Sequence, residues 1–248
     1  MQVTQRPMQM HKDVYLFDVD GTLTNSRTLI DPDFKDFFLN FIANHNVCIV
    51  TGSDYPKTLE QLGKEIMHSV MRSYQCSGNS IWENGIEVEC NNWILGNEER
   101  DFLSSELFRS KFLTRTGTHL DDRPGLVNFS VVGRGATTEQ RAEYVAYDTE
   151  HQERKYIADL FNSRYAKKGI KAQVAGETGL DIIQEGRDKG QVIDDFDDYN
   201  VLFFGDMMQP GGNDEPLANT IASRENKNDG SIWVKDWKHT WDILKDIA

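Results

Sequence analysis

Phe17-Asp18-Val19-Asp20-Gly21-Thr22-Leu23-Thr24 is the stretch on which the fold turns. It continues Val14-Tyr15-Leu16-Phe17, an apolar run of strand length, and the glycine and threonines after it turn that run into a loop. Asp18 and Asp20 therefore sit at the C-terminal tip of a buried strand. Residues two apart on an extended chain point to the same side, so both carboxylates can face the crevice beyond the carboxyl ends of a parallel sheet, where ligands bind. A carboxylate is ionised at neutral pH and can attack phosphorus without a separate base. A second acid beside it can move the proton of the entering or departing oxygen. Taken alone, acid-x-acid at a strand end is more simply a polar turn.

The full string DVDGTLT resembles the first motif of the haloacid-dehalogenase-like phosphotransferases. That resemblance implies that Asp18 is the nucleophile, becoming a phospho-aspartate, and that Asp20 is the general acid and base.

Composition sets the outer limits. The 248 residues, 38% hydrophobic and 27% charged, suit one large globular domain or a core carrying an inserted one. A net charge of -13 opposes binding to nucleic acid or to an anionic membrane surface. An anionic substrate would need local cations or a metal. Met1 to Asp13 is polar without an apolar leader segment, and no apolar run approaches the ~20 residues that cross a bilayer, so a cytoplasmic protein is expected. Cys48, Cys76 and Cys90 are odd in number and lack CxxC spacing, which suggests neither a disulfide framework nor a zinc site.

Beyond the acid loop, Asp31-Pro32 is a helix-start signal, and Phe34, Phe37, Phe38, Phe41 and Ile42 then recur at helical spacing as a packing face. Val47 to Val50 is the next buried strand, and Thr51-Gly52-Ser53-Asp54 turns it into a helix from Tyr55 to about Ile66. Thr51 and Ser53 serve equally as turn and cap residues. At a strand-to-helix turn in the unit after DVDGT they favour phosphate binding. The alternation predicts an α/β fold with a Rossmann-like, doubly wound parallel sheet.

The middle of the chain changes character. Short strands run from Ser73 to Glu89, with a hairpin corner at Glu83-Asn84-Gly85. A helix is expected over Glu98–Phe112, a strand over Gly125–Gly133, and a long charged helix from a capping box at Thr137 and Gln140 through Phe161. Two short strands, Lys171–Ala175 and Leu180–Ile183, complete an α+β module with an antiparallel sheet. The βα rhythm resumes at Lys189 with a helix to about Phe196 and a strand Val201–Asp206, while Asp194–Asp198 reads as a solvated helix end. The predicted segments are therefore 1–87 and 188–248 for the core and 88–187 for an inserted cap, with hinges near Val88 and Gly186.

Asp206 ends its strand as Asp18 does, and Asn213-Asp214 follows in a Pro-Gly-Gly loop. Clustered oxygen ligands without nearby Cys or His suit a hard cation, here Mg²⁺. The expected shell is the Asp18 carboxylate, the Asp20 main-chain carbonyl, Asp206, waters and a phosphate oxygen. Gly205, Asp206, Asn213 and Asp214 resemble the last motif of the same superfamily, and Lys189 resembles its lysine, which an aspartyl phosphate among carboxylates needs to offset its charge. Alone, Lys189 would be a surface helix residue.

More specific strings lie in the middle module: Asp122-Arg123-Pro124-Gly125 through Gly133-Arg134, Thr138-Glu139-Gln140-Arg141, Gly179-Leu180-Asp181-Ile182-Ile183 and Gly186-Arg187-Asp188-Lys189. With Thr22 to Arg27, Gly52-Ser53-Asp54-Tyr55 and Phe203-Phe204-Gly205-Asp206, they resemble the eukaryotic-type phosphomannomutases over most of the chain from Asp13. The resemblance implies interconversion of mannose 6-phosphate and mannose 1-phosphate through a hexose bisphosphate, with Mg²⁺ and a hexose 1,6-bisphosphate activator. It implies that Arg123, Arg134 and Arg141 hold the phosphate that is not reacting, that Arg27 reaches it or the sugar, that Asp181 binds sugar hydroxyls, and that the protein is a homodimer through the cap. Guanidinium forks suit such a clamp. Two positions depart from the pattern: Gly179 replaces a serine that helps hold the distal phosphate, and Thr51 replaces a glycine. Both lean towards the alternative, a Mg²⁺-dependent capped sugar-phosphate phosphatase. A catalytically silent binding protein would be expected to have lost an acid or the lysine, and Asp18, Asp20, Lys189 and Asp206 are all present.

Overall fold

In the computed structural model of the chain, residues 12–247 are described. The polar stretch Met1–Asp13 lies, except for Lys12 and Asp13, outside them. β1 (Lys12–Phe17) leads through the acid loop to α1 (Pro32–Asn44), β2 (Asn46–Val50), α2 (Tyr55–Ser69), β3 (Arg72–Gln75) and a hairpin of β4 (Ser80–Glu83) and β5 (Ile86–Cys90). Next come α3 (Asn97–Arg109), β6 (Leu120–Arg123), β7 (Leu126–Phe129), α4 (Thr138–His151), α5 (Glu153–Tyr165), β8 (Ile170–Ala175) and β9 (Gly179–Gln184). A 3₁₀ helix (Lys189–Phe196), β10 (Tyr199–Gly205), α6 (Glu215–Ala222), β11 (Gly230–Trp233) and α7 (Trp237–Ile247) complete the order.

The strands form a seven-stranded sheet, β11-β10-β1-β2-β3-β4-β5, and a four-stranded antiparallel sheet, β6-β7-β9-β8. In the larger sheet β1, β2, β3, β10 and β11 are parallel, and the hairpin adds an antiparallel edge. Strand alternation sorts its side chains. Tyr15 and Phe17 pack with α1, α2 and α7 on one face, whereas Val14 and Leu16 pack with the 3₁₀ helix and α6 on the other. Both faces are covered, as a doubly wound α/β sheet requires. The chain leaves β1 towards β2 and returns on its other side as β10, which makes the tip of β1 the switch point where a crevice opens.

Local signals explain the element ends. The Asp31 carboxylate accepts from the Asp33 and Phe34 N–H groups, with Pro32 opening α1. Thr137 and Gln140 form a reciprocal capping box at α4. Asn84 and Gly85, at φ 47 and 77, make the tight corner between β4 and β5.

Several expectations need correction. The single charged helix from Thr137 through Phe161 is two helices, broken at Gln152 with φ 53, because Asp148 caps the second by accepting from Arg154 N at 2.7 Å and Nε at 2.8 Å. The strand expected over Gly125–Gly133 is only β7, and its partner β6 is too polar in sequence to signal a strand. The helix expected over Glu98–Phe112 is α3, Asn97–Arg109, and α2 runs on to Ser69 despite a break at Gly63. The segment after Lys189 is 3₁₀, not α. Within the acidic run, Asp195 is no bystander: it accepts from Tyr74 Oη and from Arg72, each at 2.7 Å. β5 remains in the larger sheet through Cys90, so the first crossing follows that residue and does not fall at Val88.

The smaller sheet has its own core. Val127, Phe129, Leu180 and Ile182 face α3, α4 and α5, while Asn128 and Asp181, paired across β7 and β9, fall on the opposite face. That polar face lines a cavity shared with the strand tips of the larger sheet.

Candidate active site

The cavity is about 330 Å³ and is lined by Asp18, Asp20, Thr51, Ser53 and Asp206 from the larger sheet and by Arg123, Arg134, Arg141, Gly179 and Asp181 from the smaller sheet and its connections. Arg27 and Asn213 line it as well. Residues distant in sequence thus meet because β1, β2 and β10 end side by side.

At one end Asp18, Asp206 and Asp214 each present a carboxylate oxygen, all within 4.8 Å of one another. Lys189 is fully buried beneath them, its Nζ 2.5 Å from Asp18 Oδ1 and 2.6 Å from Asp214 Oδ1. Burial would lower its pKa, but the two carboxylates more than offset this and hold the ammonium charged. For Asp18, burial and then repulsion from Asp214 and Asp206 push the carboxyl well above its ordinary range, against the pull of Lys189. Asp206 is pushed up to about 6, by burial first and by Asp214 next.

The donor set fits a hard cation. Asp214 is held on both oxygens, with Oδ1 on Lys189 and Oδ2 accepting from Met207 N at 3.0 Å. Asp206 Oδ1 is buried and has no hydrogen-bond partner, a cost that a ligand aimed at it would remove. Three converging oxygens with one ammonium leave negative charge uncompensated. Gly21 is required here: at φ +87 its ideal Cβ would stand 2.2 Å from Asp206 Oδ2.

Asp20 lies outside this trio. Its Oδ1 accepts from Arg27 N at 3.0 Å and from Gln61 Nε2 at 2.9 Å, and Arg27 adopts the left-handed φ of 60 to make that contact. Thr51 Oγ1 accepts from Ser53 N at 3.1 Å, which ties the second strand-to-helix turn.

The smaller sheet and its connections bring in the guanidiniums. Arg123 spans the two sheets by donating to Gly52 O at 3.2 Å, and it shares Asp121 with Arg134 at 2.9 and 3.1 Å. Arg141 donates to Thr178 Oγ1 at 3.0 Å and to Glu177 Oε2 at 2.9 Å. Asp181 accepts from Asn128 Nδ2 at 2.7 Å; its burial raises the carboxyl's pKa, with Arg123 opposing. Gly179 offers only backbone, and an ideal Cβ there would lie 2.7 Å from Asn128 Nδ2, so this chain fills with an amide the space a hydroxymethyl would need.

Sequence reasoning missed Lys57, Gln61, Asn128, Glu177 and Thr178. Asn128, a polar residue inside an otherwise apolar strand, could have been found by alternation. Glu177 and Thr178 sit in a turn and carry no such signal.

Comparisons with known proteins identify the family and the fold. A family model described as eukaryotic phosphomannomutase matches residues 34–227. The chain is 32% identical over 210 residues to the phosphomannomutase of Saccharomyces cerevisiae, covering 80% of this chain and 82% of the yeast protein. It is 31% identical over 210 residues to phosphomannomutase 1 of Homo sapiens, with 80% of each chain covered. Among solved structures, a haloacid dehalogenase-like hydrolase from Bacteroides thetaiotaomicron superposes with a TM-score of 0.57 at 14% identity, covering 96% of this chain and all (100%) of that one, which is a likeness of fold.

Proposed function

The chain belongs to the eukaryotic phosphomannomutase family, and from that premise we infer that it interconverts mannose 6-phosphate and mannose 1-phosphate by passing a phosphoryl group through Asp18. The observation that carries this reading is that one cavity is lined both by Asp18 and by Arg123, Arg134 and Arg141. A phosphatase needs only the first; a mutase needs a grip on the far end of the sugar as well.

In the proposed cycle, the phosphate on Asp18 passes to the free hydroxyl of a hexose monophosphate. Asp20 takes the hydroxyl proton as the new O–P bond forms and the bond to Asp18 breaks. The resulting hexose bisphosphate turns end for end. Asp18 then attacks the other phosphate, and Asp20 returns the proton to the departing oxygen. Lys189, paired with Asp18 and Asp214, offsets charge at the aspartyl phosphate. Thr51, Ser53 and the N–H groups of their turn can bind oxygens of the transferring phosphate. Arg27, Arg123, Arg134 and Arg141 hold the other phosphate, Asp181 binds sugar hydroxyls, and Gly179 contributes backbone.

Mg²⁺ held by Asp18, Asp206 and the Asp20 carbonyl, with Asn213 and Asp214 around them, would supply positive charge against the carboxylates and the phosphate. A hexose 1,6-bisphosphate activator would load Asp18. We divide the chain into a core and an inserted cap, with the boundary of 87/88 expected from sequence moved past Cys90, where β5 leaves the larger sheet, and the second kept at 187/188. A cytoplasmic homodimer joined through the cap completes the reading, on family membership alone.

Purified protein given mannose 1-phosphate, Mg²⁺ and a hexose bisphosphate is expected to form mannose 6-phosphate with little free phosphate. Release of inorganic phosphate without isomer would overturn the mutase and select the phosphatase.

A further inference from the structure

Five cations line the cavity away from its acid end: Arg27 and Lys57 from the core, and Arg123, Arg134 and Arg141 from the cap. The cap arginines arrive partnered, Arg123 and Arg134 sharing Asp121 and Arg141 on Glu177. The core pair differs. Among the described residues, no carboxylate lies within the 4.0 Å of an ion pair from either the Arg27 guanidinium or Lys57 Nζ.

Lys57 is an unusually poor site for an unpaired cation. It lies in the first turn of α2, the end at which the helix dipole disfavours positive charge, and that turn holds no acidic residue. Its backbone N–H is already bonded to the Asp54 cap at 3.2 Å, so only the ammonium is left to act. The side chain is half-buried. Burial, and then the charge of Arg27, push its pKa down, with Asp20 and Glu60 opposing. Arg27 is pushed down in the same way, by burial and then by Arg141 and Arg134. Core and cap cations therefore converge on one region of the cavity, where the charges of Arg141 and Arg134 act on Arg27 and that of Arg27 acts on Lys57, and an anion placed among them relieves that repulsion.

We propose that Lys57 is a direct ligand of the non-reacting phosphate of the sugar, gripping it from the core beside Arg27 while Arg134 and Arg141 hold it from the cap. This contact rests on the mutase reading. A dianion at that point neutralises charge on both sides and so ties core to cap when substrate is present. A lysine suits the position because a point charge on a flexible stem can reach the phosphate between the guanidiniums, and the contact needs the positive charge more than one donor geometry.

The test is steady-state kinetics on Lys57→Met and Lys57→Arg with mannose 1-phosphate, Mg²⁺ and activator. Lys57→Met is expected to raise KM about tenfold with kcat within about twofold, and Lys57→Arg to restore KM to within about threefold of wild type. The ligand-free Lys57→Met protein should melt no lower than wild type, since it loses an unfavourable charge. A wild-type KM in Lys57→Met, a loss confined to kcat, or an arginine variant no better than methionine would each overturn the assignment. If wild type forms no isomer, the function is refuted while the contact is still tested: calorimetry with a hexose bisphosphate should show weaker binding to Lys57→Met, and equal binding would overturn it.

Discussion

The two ends of the cavity are built on opposite plans. At the acid end Lys189, which opens the 3₁₀ helix, and Asp214, the N-cap residue of α6, are fully buried, and Asp18, at the tip of β1 with a ladder on either side, is 3% exposed. At the guanidinium end the side chains stand on a hairpin, a helix start and a turn, and the Arg134 and Glu177 side chains are 29% and 54% exposed. On the proposed cycle, charge is fixed in place where the phosphoryl bond would be made and broken, which removes the cost of reorganising it, and the more exposed groups stand where the sugar would turn around. The contrast also lies in partners: the acid end gathers three carboxylates with an unpartnered Asp206 oxygen, whereas the guanidiniums stand beside Arg27 and Lys57, which have no carboxylate in ion-pair contact among the described residues.

If this contrast is right, substitutions at the two ends should fail differently. Asp18→Asn keeps the shape and removes the nucleophile, so kcat should fall at least about 10³-fold while hexose phosphate still binds. Near-normal turnover would break the assignment of the acid end. Arg141→Ala should instead raise KM about 10- to 100-fold, the effect of losing charge-assisted bonds worth about 1.5–3 kcal/mol, and should leave Mg²⁺ affinity intact by calorimetry. An equal loss of metal binding would mean that the ends are not independent.

The smallest effect is on stability. The Asp206 pKa is raised by folding from 3.8 to about 6, so the folded protein favours the protonated acid. Its stabilising contribution is full below the unfolded pKa and is lost as pH rises through about 6. Without metal, the ionised acid at pH ~7.5 therefore weighs against the fold, and a cation relieves it. Mg²⁺ is expected to raise Tm by a few degrees at pH ~7.5 and by less at pH ~5, measured by thermal melts. Equal shifts at both pH values would remove the link between the Asp206 carboxyl and the metal.

Much of the acid end was legible in the sequence because its signals are local. DVDGTLT after an apolar run places two carboxylates at a strand tip, and the Gly205-Asp206 pair repeats the device on a neighbouring strand. Even the arginines could be named, because the strings around Arg123, Arg134 and Arg141 resemble a family. Their contacts could not. Nothing near Arg141 in sequence announces Glu177, and no local pattern says that Lys57 lacks a partner. The break at Gln152 was missed for a related reason: helical periodicity continues across it, and the Asp148 side chain that redirects the chain acts only once the turn exists.

The sequence by itself determined that Asp18 and Asp206 follow the ends of neighbouring parallel strands, because a strand's period and the turn that stops it are properties of a few adjacent residues. Tertiary structure alone decided which charges find partners. It buried Lys189 between Asp18 and Asp214, gave Asp121 and Glu177 to the cap arginines, and left Arg27 and Lys57 facing an open cavity. The physical reason is that electrostatic energy depends on distance and burial in space, and neither is set by spacing along the chain.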